Sequence, residues 1–397
     1  MQTFDVAQLR AETPGTQHVI HFNNAGASLM PQIVYEIMHK YLAEETAFGG
    51  YEMEDKYTFE LEKVYELFAQ LLNCKPREIA ITDSATTSWD RLFYSLPFQS
   101  GNKILTSAAE YASNYIAYLQ IAKRTGAIIQ VIPNDEYGQV SVEALANMID
   151  ENVRLISISH IPTNGGLVNP AESIGKIARK HNIWYLIDAC QSVGQMPIDV
   201  QQIGCDMLSG TGRKFLRGPR GTGFLFVSER MLQFLEPFSL DLHAAKWTAK
   251  NEYKFRMDAR MFEIAESNIA AKLGLARAIQ YTLNIGIENI WRRIQQLGQT
   301  LRNKLSTIDG IEVQDLGKVK CGIVTFTVDG IDIFDLCAKL RKRNINTSVS
   351  VRHHTLLDMT ERNLNNMIRA SIHYFNTEEE IDVFCQTLQD LIDNYVK

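Results

Sequence analysis

Between about residues 79 and 227 the sequence alternates short apolar, β-rich runs with helical patterns, and this alternation limits the fold more than any other feature. The runs are Glu78–Thr82, Lys103–Thr106, Ile128–Ile132, Arg154–Ser159, Ile183–Asp188, Met207–Ser209 and Gly223–Val227. Helical stretches such as Ser113–Arg124 and Ala171–Lys180 intervene. Near-continuous apolar strands separated by helices predict an α/β fold with a mostly parallel sheet covered on both faces.

The last third changes character. Helical patterns over Phe262–Leu283 and Ile287–Leu305 lead into a strand-like Gly322–Val328, a helix over Ile331–Arg343, a strand Met367–His373 and a closing helix Thr377–Tyr395. Thr377 followed by Glu380 forms a capping box for that last helix. A small α+β domain is expected here, with the segment before residue 20 folding back onto it, because chain ends need docking to be ordered.

A chain of 397 residues accommodates a large domain and a smaller one. With 45% hydrophobic and 22% charged residues it has an ordinary globular balance, and a net charge of −6 offers no attraction for nucleic acid or an anionic membrane. No apolar run approaches the ~18 residues of a membrane span. The start, Met1-Gln2-Thr3-Phe4-Asp5, lacks a basic stretch followed by an apolar one, so no signal peptide is expected. Six cysteines stand singly at 74, 190, 205, 321, 337 and 385. That spacing suits neither a zinc site nor a disulfide framework and suggests a reducing cytoplasm.

Four elements carry candidate chemistry. Residues 209–223 read Ser-Gly-Thr-Gly-Arg-Lys-Phe-Leu-Arg-Gly-Pro-Arg-Gly-Thr-Gly, a glycine-dense loop around one lysine, Lys214. Glycines let the backbone approach a flat ligand, and Arg213 beside Lys214 favours loss of its proton, so the amine can act as a nucleophile. A phosphate-cradling P-loop is excluded, since Arg213 precedes the lysine and Phe215, neither Ser nor Thr, follows it. The run Ile183–Asp188 ends an apolar strand in a carboxylate at the carboxyl edge of the sheet, where ligands of open α/β sheets bind. A pyridoxal 5′-phosphate (PLP) ring requires an acidic partner for its pyridinium nitrogen, a role open to Asp188; a plain N-cap is the competing reading. Thr82-Asp83-Ser84-Ala85-Thr86-Thr87-Ser88 opens a helix after a strand, an anion site by its free N–H groups, to which Thr86 and Thr87 add hydroxyls. In Ala109-Glu110-Tyr111-Ala112-Ser113-Asn114 an aromatic at a strand-to-helix junction either stacks on a pyridine ring or packs in the core.

In this order the four elements resemble the class V aminotransferase family of PLP fold-type I enzymes, which includes cysteine desulfurases, selenocysteine lyase-like proteins, isopenicillin N epimerase and C–S lyases. The resemblance runs from His21-Phe22-Asn23-Asn24-Ala25-Gly26 to the C-terminus. It implies that Lys214 holds PLP as a Schiff base, that Asp188 partners the pyridinium, and that Gln191 bonds the ring O3′. It further implies phosphate contacts from the helix start at Ala85, Thr86 and Thr87 and from Thr211 and Arg213. Tyr111 falls where desulfurases stack a histidine on the ring. Thr163 or Asn164, in Ser159-His160-Ile161-Pro162-Thr163-Asn164, matches the loop along the ring edge. Arg369, in Ile368-Arg369-Ala370-Ser371, matches the arginine that grips the substrate α-carboxylate through a planar fork lysine lacks. Asn23, Asn24 and Arg352 are placed near substrate.

One departure is decisive for chemistry. The loop Ser350-Val351-Arg352-His353-His354-Thr355 has Thr355 where desulfurases carry a mobile cysteine, and a hydroxyl cannot take sulfur as a persulfide. Cys190, Cys205, Cys321, Cys337 and Cys385 read as buried and inert, Cys190 lying beneath the ring. The adjacent histidines are weak metal ligands, and no metal is expected.

The resemblance thus implies a large PLP-binding domain over 21–260 with a mostly parallel seven-stranded sheet, a linking helix and small C-terminal domain over 261–397, and an N-terminal segment, 1–20, packed on the latter. It implies a cytoplasmic homodimer with active sites at the interface, to which Arg260–Asn268 contributes, acting on a small amino-acid substrate. C–S lyase and aminotransferase are the leading activities, with epimerase an alternative. A nucleotide-binding α/β enzyme would fit the alternation, but no G-x-G-x-x-G follows the early strands. A catalytically dead binding protein would not need Lys214, Asp188, Gln191 and Arg369 together.

Overall fold

The computed structural model describes residues 4–396; Met1–Thr3, part of the stretch read for a leader, and Lys397 lie outside it. Seven strands form the main sheet: β1 (Ile79–Thr82), β2 (Lys103–Ser107), β3 (Ile128–Ile132), β4 (Val153–Ser159), β5 (Trp184–Asp188), β6 (Met207–Thr211) and β7 (Gly223–Val227). Their order is β1-β7-β6-β5-β4-β2-β3. Only β7 runs antiparallel to its neighbours, so the sheet is mostly parallel, as expected.

Alternation explains why these runs are apolar throughout. Tyr185 and Ile187 of β5 enter one core with Ile156, Ile158, Leu208 and Phe224, while Leu186 joins Ala80, Ile104, Leu155, Met207 and Leu225 on the opposite face. Each inward side chain contributes about 1.5–3 kcal/mol of burial, so both faces hold the sheet in register. The polar residues are kept for the carboxyl ends: Ser107, Ser159, Asp188 and Thr211 each terminate a strand. Helix α1 (Ala85–Phe93) follows β1 and helix α2 (Ala112–Thr125) follows β2, so their N-termini face the same edge.

The C-terminal part builds a four-stranded antiparallel sheet from β8 (Ile311–Val313), β9 (Ile323–Val328), β10 (Ser348–Val351) and β11 (Asn366–Ser371), in the order β8-β9-β11-β10. Leu297, Leu301 and Leu305 of the helix Ile287–Leu305 and Phe384 and Leu388 of the closing helix Glu378–Val396 cover it. The capping box is present: Glu380 N donates to Thr377 Oγ1 and Thr377 N to Glu380 Oε2, both at 3.2 Å. Arg10 from the N-terminal segment pairs with Glu380 at 2.8 Å and donates to the Phe375 carbonyl at 2.9 Å. Ile20–His21 pairs in parallel with Ile345–Asn346.

Two expectations need correction. The helix read from Phe262 begins at Ile269, helix α3 (Ile269–Ile285), with Asn268 Oδ1 accepting from Ala271 N at 2.9 Å. Glu263 is drawn away instead: it accepts from Ile81 N at 2.7 Å and Tyr65 OH at 2.8 Å, which holds the chain extended before the cap. The loop read over Ser350–Thr355 is the end of β10 followed by a 3-10 turn, Arg352–Thr355. Helices Gln32–Phe48 and Thr58–Leu72 and the hairpin Ala245–Ala249/Glu252–Phe255 were not anticipated.

Candidate active site

The carboxyl ends of β4, β5 and β6 and the first turns of α1 and α2 converge on one cavity, partly open to solvent. Asp188 ends β5 at its base and is buried. Its Oδ1 accepts from Cys190 N at 2.9 Å and its Oδ2 from Asn114 Nδ2 at 3.0 Å, which fixes both oxygens while leaving lone pairs toward the cavity.

Lys214 enters from the loop after β6, whose turn closes by Gly218 N to Gly212 O at 2.8 Å and Arg217 N to Lys214 O at 2.9 Å. Burial pulls the Lys214 ammonium down to about 8; Arg213 and Arg369 push the same way, opposed by Cys190 and Asp188. The sequence pointed to Arg213 as the cause, but desolvation is larger. Arg213 turns its guanidinium to the Gly26 carbonyl.

Helix α1 closes the opposite end. Its N-cap Ser84 accepts from Thr87 N at 3.1 Å, and the first-turn amides of Ala85 and Thr86 have no carbonyl within the helix to bond. Strand β7 must begin at a glycine to let this turn approach: a Cβ on Gly223 would stand 2.3 Å from the Ser84 backbone. Thr211 and Arg213 line the cavity beside these amides. Together with positive side chains, a helix N-terminus of this kind accepts a phosphate.

At the rim, Tyr111 opens α2 half-buried, and Trp89 and Ile161 supply apolar walls. Gln191 Nε2 donates to the Ala25 carbonyl at 3.2 Å and Thr163 Oγ1 at 3.3 Å, while its buried Oε1 has no partner. Arg369, on β11, reaches the same loop: its Nη1 donates to Thr163 Oγ1 at 2.8 Å and Thr163 O at 3.1 Å, and its Nε to Ser348 Oγ at 3.1 Å. Burial and the nearby Arg213 lower Arg369 to about 10, and no carboxylate pairs with it among the described residues.

Other expected residues stand apart. Thr87 bonds Ser84 Oγ at 3.0 Å and lines a neighbouring cavity with Thr222, Ser267 and Asn268. Asn164 is buried and spends its amide on Val351 O, Thr355 Oγ1 and Met359 Sδ, each at 3.1 Å, so it ties this loop to the 3-10 turn and not to the cavity. Asn24, fully buried, holds His21 O and Ser371 O at 3.1 and 2.8 Å and accepts from Ser28 Oγ at 2.7 Å, a structural tie. Asn23 bridges to Ser371 with its Oδ1 unpartnered. Arg352 donates to the Leu364 carbonyl at 2.6 Å. Thr355 is buried. Cys190, expected beneath the ring in the sheet, is half-buried and lines the cavity; burial and then Asp188 hold its thiol far above the usual range. Cys74 and Cys385 are half-buried too.

Ser84, Trp89, Asn114 and Ser159 also line the cavity without having been singled out. Helical spacing contained a signal for two of them: Trp89 lies three and four residues beyond Thr86 and Ala85, and Asn114 three beyond Tyr111.

The donor set fits PLP. An amine of lowered basicity, a fixed carboxylate, an anion-accepting helix start and a buried amide oxygen lacking a donor match, in turn, an aldehyde, a pyridinium, a phosphate and a phenolic hydroxyl. Comparison with known proteins agrees. The family model described as aminotransferase class-V matches residues 20–384. A probable cysteine desulfurase of Methanothermobacter thermautotrophicus is 30% identical over 98% of both chains. The apo structure of cysteine desulfurase from Thermococcus onnurineus NA1 superposes with a TM-score of 0.91 at 27% identity, covering 98% of both chains. Two structures of C-DES superpose at 0.86 and 25% identity, covering 95–96% of this chain and 99% of theirs. One has glycine covalently linked to the PLP cofactor, the other is this cystine C–S lyase with its reaction product cysteine persulfide. The chain belongs to the class V aminotransferase family of PLP-dependent enzymes.

Proposed function

We propose that the chain is a C–S lyase that cleaves the carbon–sulfur bond of a sulfur-containing amino acid, with sulfur departing in the leaving group and no covalent stop on the protein. When bound, PLP supplies an electron sink for charge developing at the substrate Cα. Asp188, both of whose oxygens are held, keeps a proton on the ring nitrogen. Arg369 grips the α-carboxylate; its bonds to Thr163 and Ser348 fix the guanidinium plane before substrate arrives. Lys214 Nζ would take the Cα proton, and a basicity near 8 suits that role at neutral pH. The electron pair left at Cα would then expel sulfur from Cβ, and Lys214 can return the proton to it. Ile161 and Trp89 keep water from this side.

The observation that carries the reading is that Lys214 and Asp188 line one cavity with Thr163, which Arg369 Nη1 holds at 2.8 Å, while a buried Thr355 stands where a sulfur-accepting cysteine would. The C–S lyase named among the structural relatives supports elimination over transamination. Assay of cystine and cysteine conjugates for a keto acid, ammonia and a sulfur product tests it: all three should appear together. Keto acid that forms only with an amino acceptor marks an aminotransferase, and exchange of the Cα proton without products an epimerase.

The functional unit in this reading is a homodimer. Phe48, Tyr51 and Phe59, at 65%, 83% and 78% exposure, leave apolar surface on the N-terminal helices, and Ser267 and Asn268 lie beside the phosphate-accepting turn. Six unpaired cysteines accord with a reducing cytoplasm.

A further inference from the structure

Behind Asp188 lies a second carboxylate that the chemistry above does not use. Glu110 ends the connection from β2 to α2 and is 3% exposed. Its Oε1 accepts from Ser159 Oγ at 2.7 Å, Asn114 Nδ2 at 2.8 Å and Tyr111 N at 3.0 Å. Its Oε2 accepts from Ser159 N at 2.9 Å, Thr106 Oγ1 at 3.3 Å and Ser107 Oγ at 3.5 Å. A buried carboxylate is costly, and this one draws donors from the ends of β2 and β4 and from the first turn of α2; of these donors Ser159, Tyr111 and Asn114 also line the cavity.

The connection to Asp188 is a single nitrogen. Asn114 Nδ2 carries two hydrogens, and its two carboxylate contacts are Glu110 Oε1 at 2.8 Å and Asp188 Oδ2 at 3.0 Å. Glu110 therefore fixes the orientation of the amide that fixes Asp188. We infer that Glu110 is a positioning residue which, through Asn114, holds Asp188 in the orientation that meets the PLP ring nitrogen. This rests on Asp188 being the ring partner.

Other ionisable groups around Glu110 accord with this arrangement. Burial, then Asp188, raises Glu110 to about 7, against the opposing pull of its donors. Tyr118 of α2 packs nearby, its hydroxyl donating to Ser157 Oγ at 2.8 Å and its own ionisation suppressed by burial and by Glu110. No cation pairs with Glu110 among the described residues, so Asn114 is its one link to the charge at the ring.

The test uses apoprotein reconstituted with PLP labelled with 15N at the ring, read by the 15N shift and by the equilibrium Kd for PLP; neither requires turnover. Glu110→Gln keeps shape and removes charge. Asn114→Ala cuts the link while leaving Glu110's bonds to Ser159 and Tyr111. Asp188→Asn is the reference. Both second-tier variants should move the ring 15N toward the unprotonated value and raise Kd severalfold, by less than Asp188→Asn does. Should Glu110→Gln not yield soluble protein, Asn114→Ala makes the same comparison. If the variants lower thermal stability but leave ring 15N and Kd at the native values, Glu110 is merely structural and the inference is overturned. If Asp188→Asn itself leaves the ring protonated, the assignment of Asp188 fails, a separate outcome.

Discussion

Arg369 Nη1 donates to Thr163 at both the hydroxyl, 2.8 Å, and the carbonyl, 3.1 Å, although the two residues lie 206 positions apart in sequence. The bond joins β11 of the C-terminal sheet to the loop after β4, and Thr163 also meets Gln191. Arg369 and Gln191 thus share one threonine.

Arg369→Ala should weaken substrate binding by roughly 1.5–3 kcal/mol, the worth of hydrogen bonds to a charged group, while the visible absorbance of bound PLP stays unchanged. Arg369→Lys should rescue poorly for want of the planar fork. Steady-state KM beside a cofactor spectrum checks this; equal loss of bound PLP would make Arg369 a structural residue.

Asp188→Asn replaces a carboxylate that accepts from Cys190 N and Asn114 Nδ2. We expect a loss of roughly 1.5–3 kcal/mol in PLP affinity and a larger loss of turnover. Native turnover in this variant would reduce Asp188 to a cap for the segment that follows.

No protein persulfide should form on incubation with cysteine without reductant. Thr355 is buried against Asn164, and Cys190, which lines the cavity, is held in its thiol form by burial and by Asp188, whereas the thiolate is the nucleophile. Intact-mass spectrometry should show no added sulfur atom. A persulfide on any cysteine, lost together with activity on its mutation, would restore desulfurase as the reading; Cys190→Ser is the first variant to compare.

Strands were legible because both faces of the sheet are covered, so runs such as Trp184–Asp188 are apolar at every position until the closing carboxylate. Helix Gln32–Phe48 was not, because it buries only Val34 and Tyr41 and exposes Tyr35, Leu42 and Phe48, which blurs the apolar stripe. The hairpin Ala245–Ala249/Glu252–Phe255 has no buried face to impose alternation. In the site, Lys214 and Asp188 are marked by glycine density and by a strand end, both local signals. Glu110 stood in a motif that drew attention to Tyr111, yet a lone glutamate reads as solvated; its burial depends on Ser159, 49 residues away. The partners of Asn164 and Asn24 were hidden for the same reason, since their amides are claimed by β10, the 3-10 turn and β11, far along the chain.

The central claim, that Lys214 is the amine that carries PLP, is tested most directly by adding PLP to apoprotein, reducing with borohydride and mapping the pyridoxyl label on peptides. The Lys214 amine is neutral above about 8 and protonated, without a free lone pair, below it. Covalent attachment should therefore speed up as pH rises and level off above that value. The label should sit on Lys214, and Lys214→Ala should remain unlabelled and inactive while still folded. A label on any other lysine of the native protein, or native turnover by Lys214→Ala, would contradict the account.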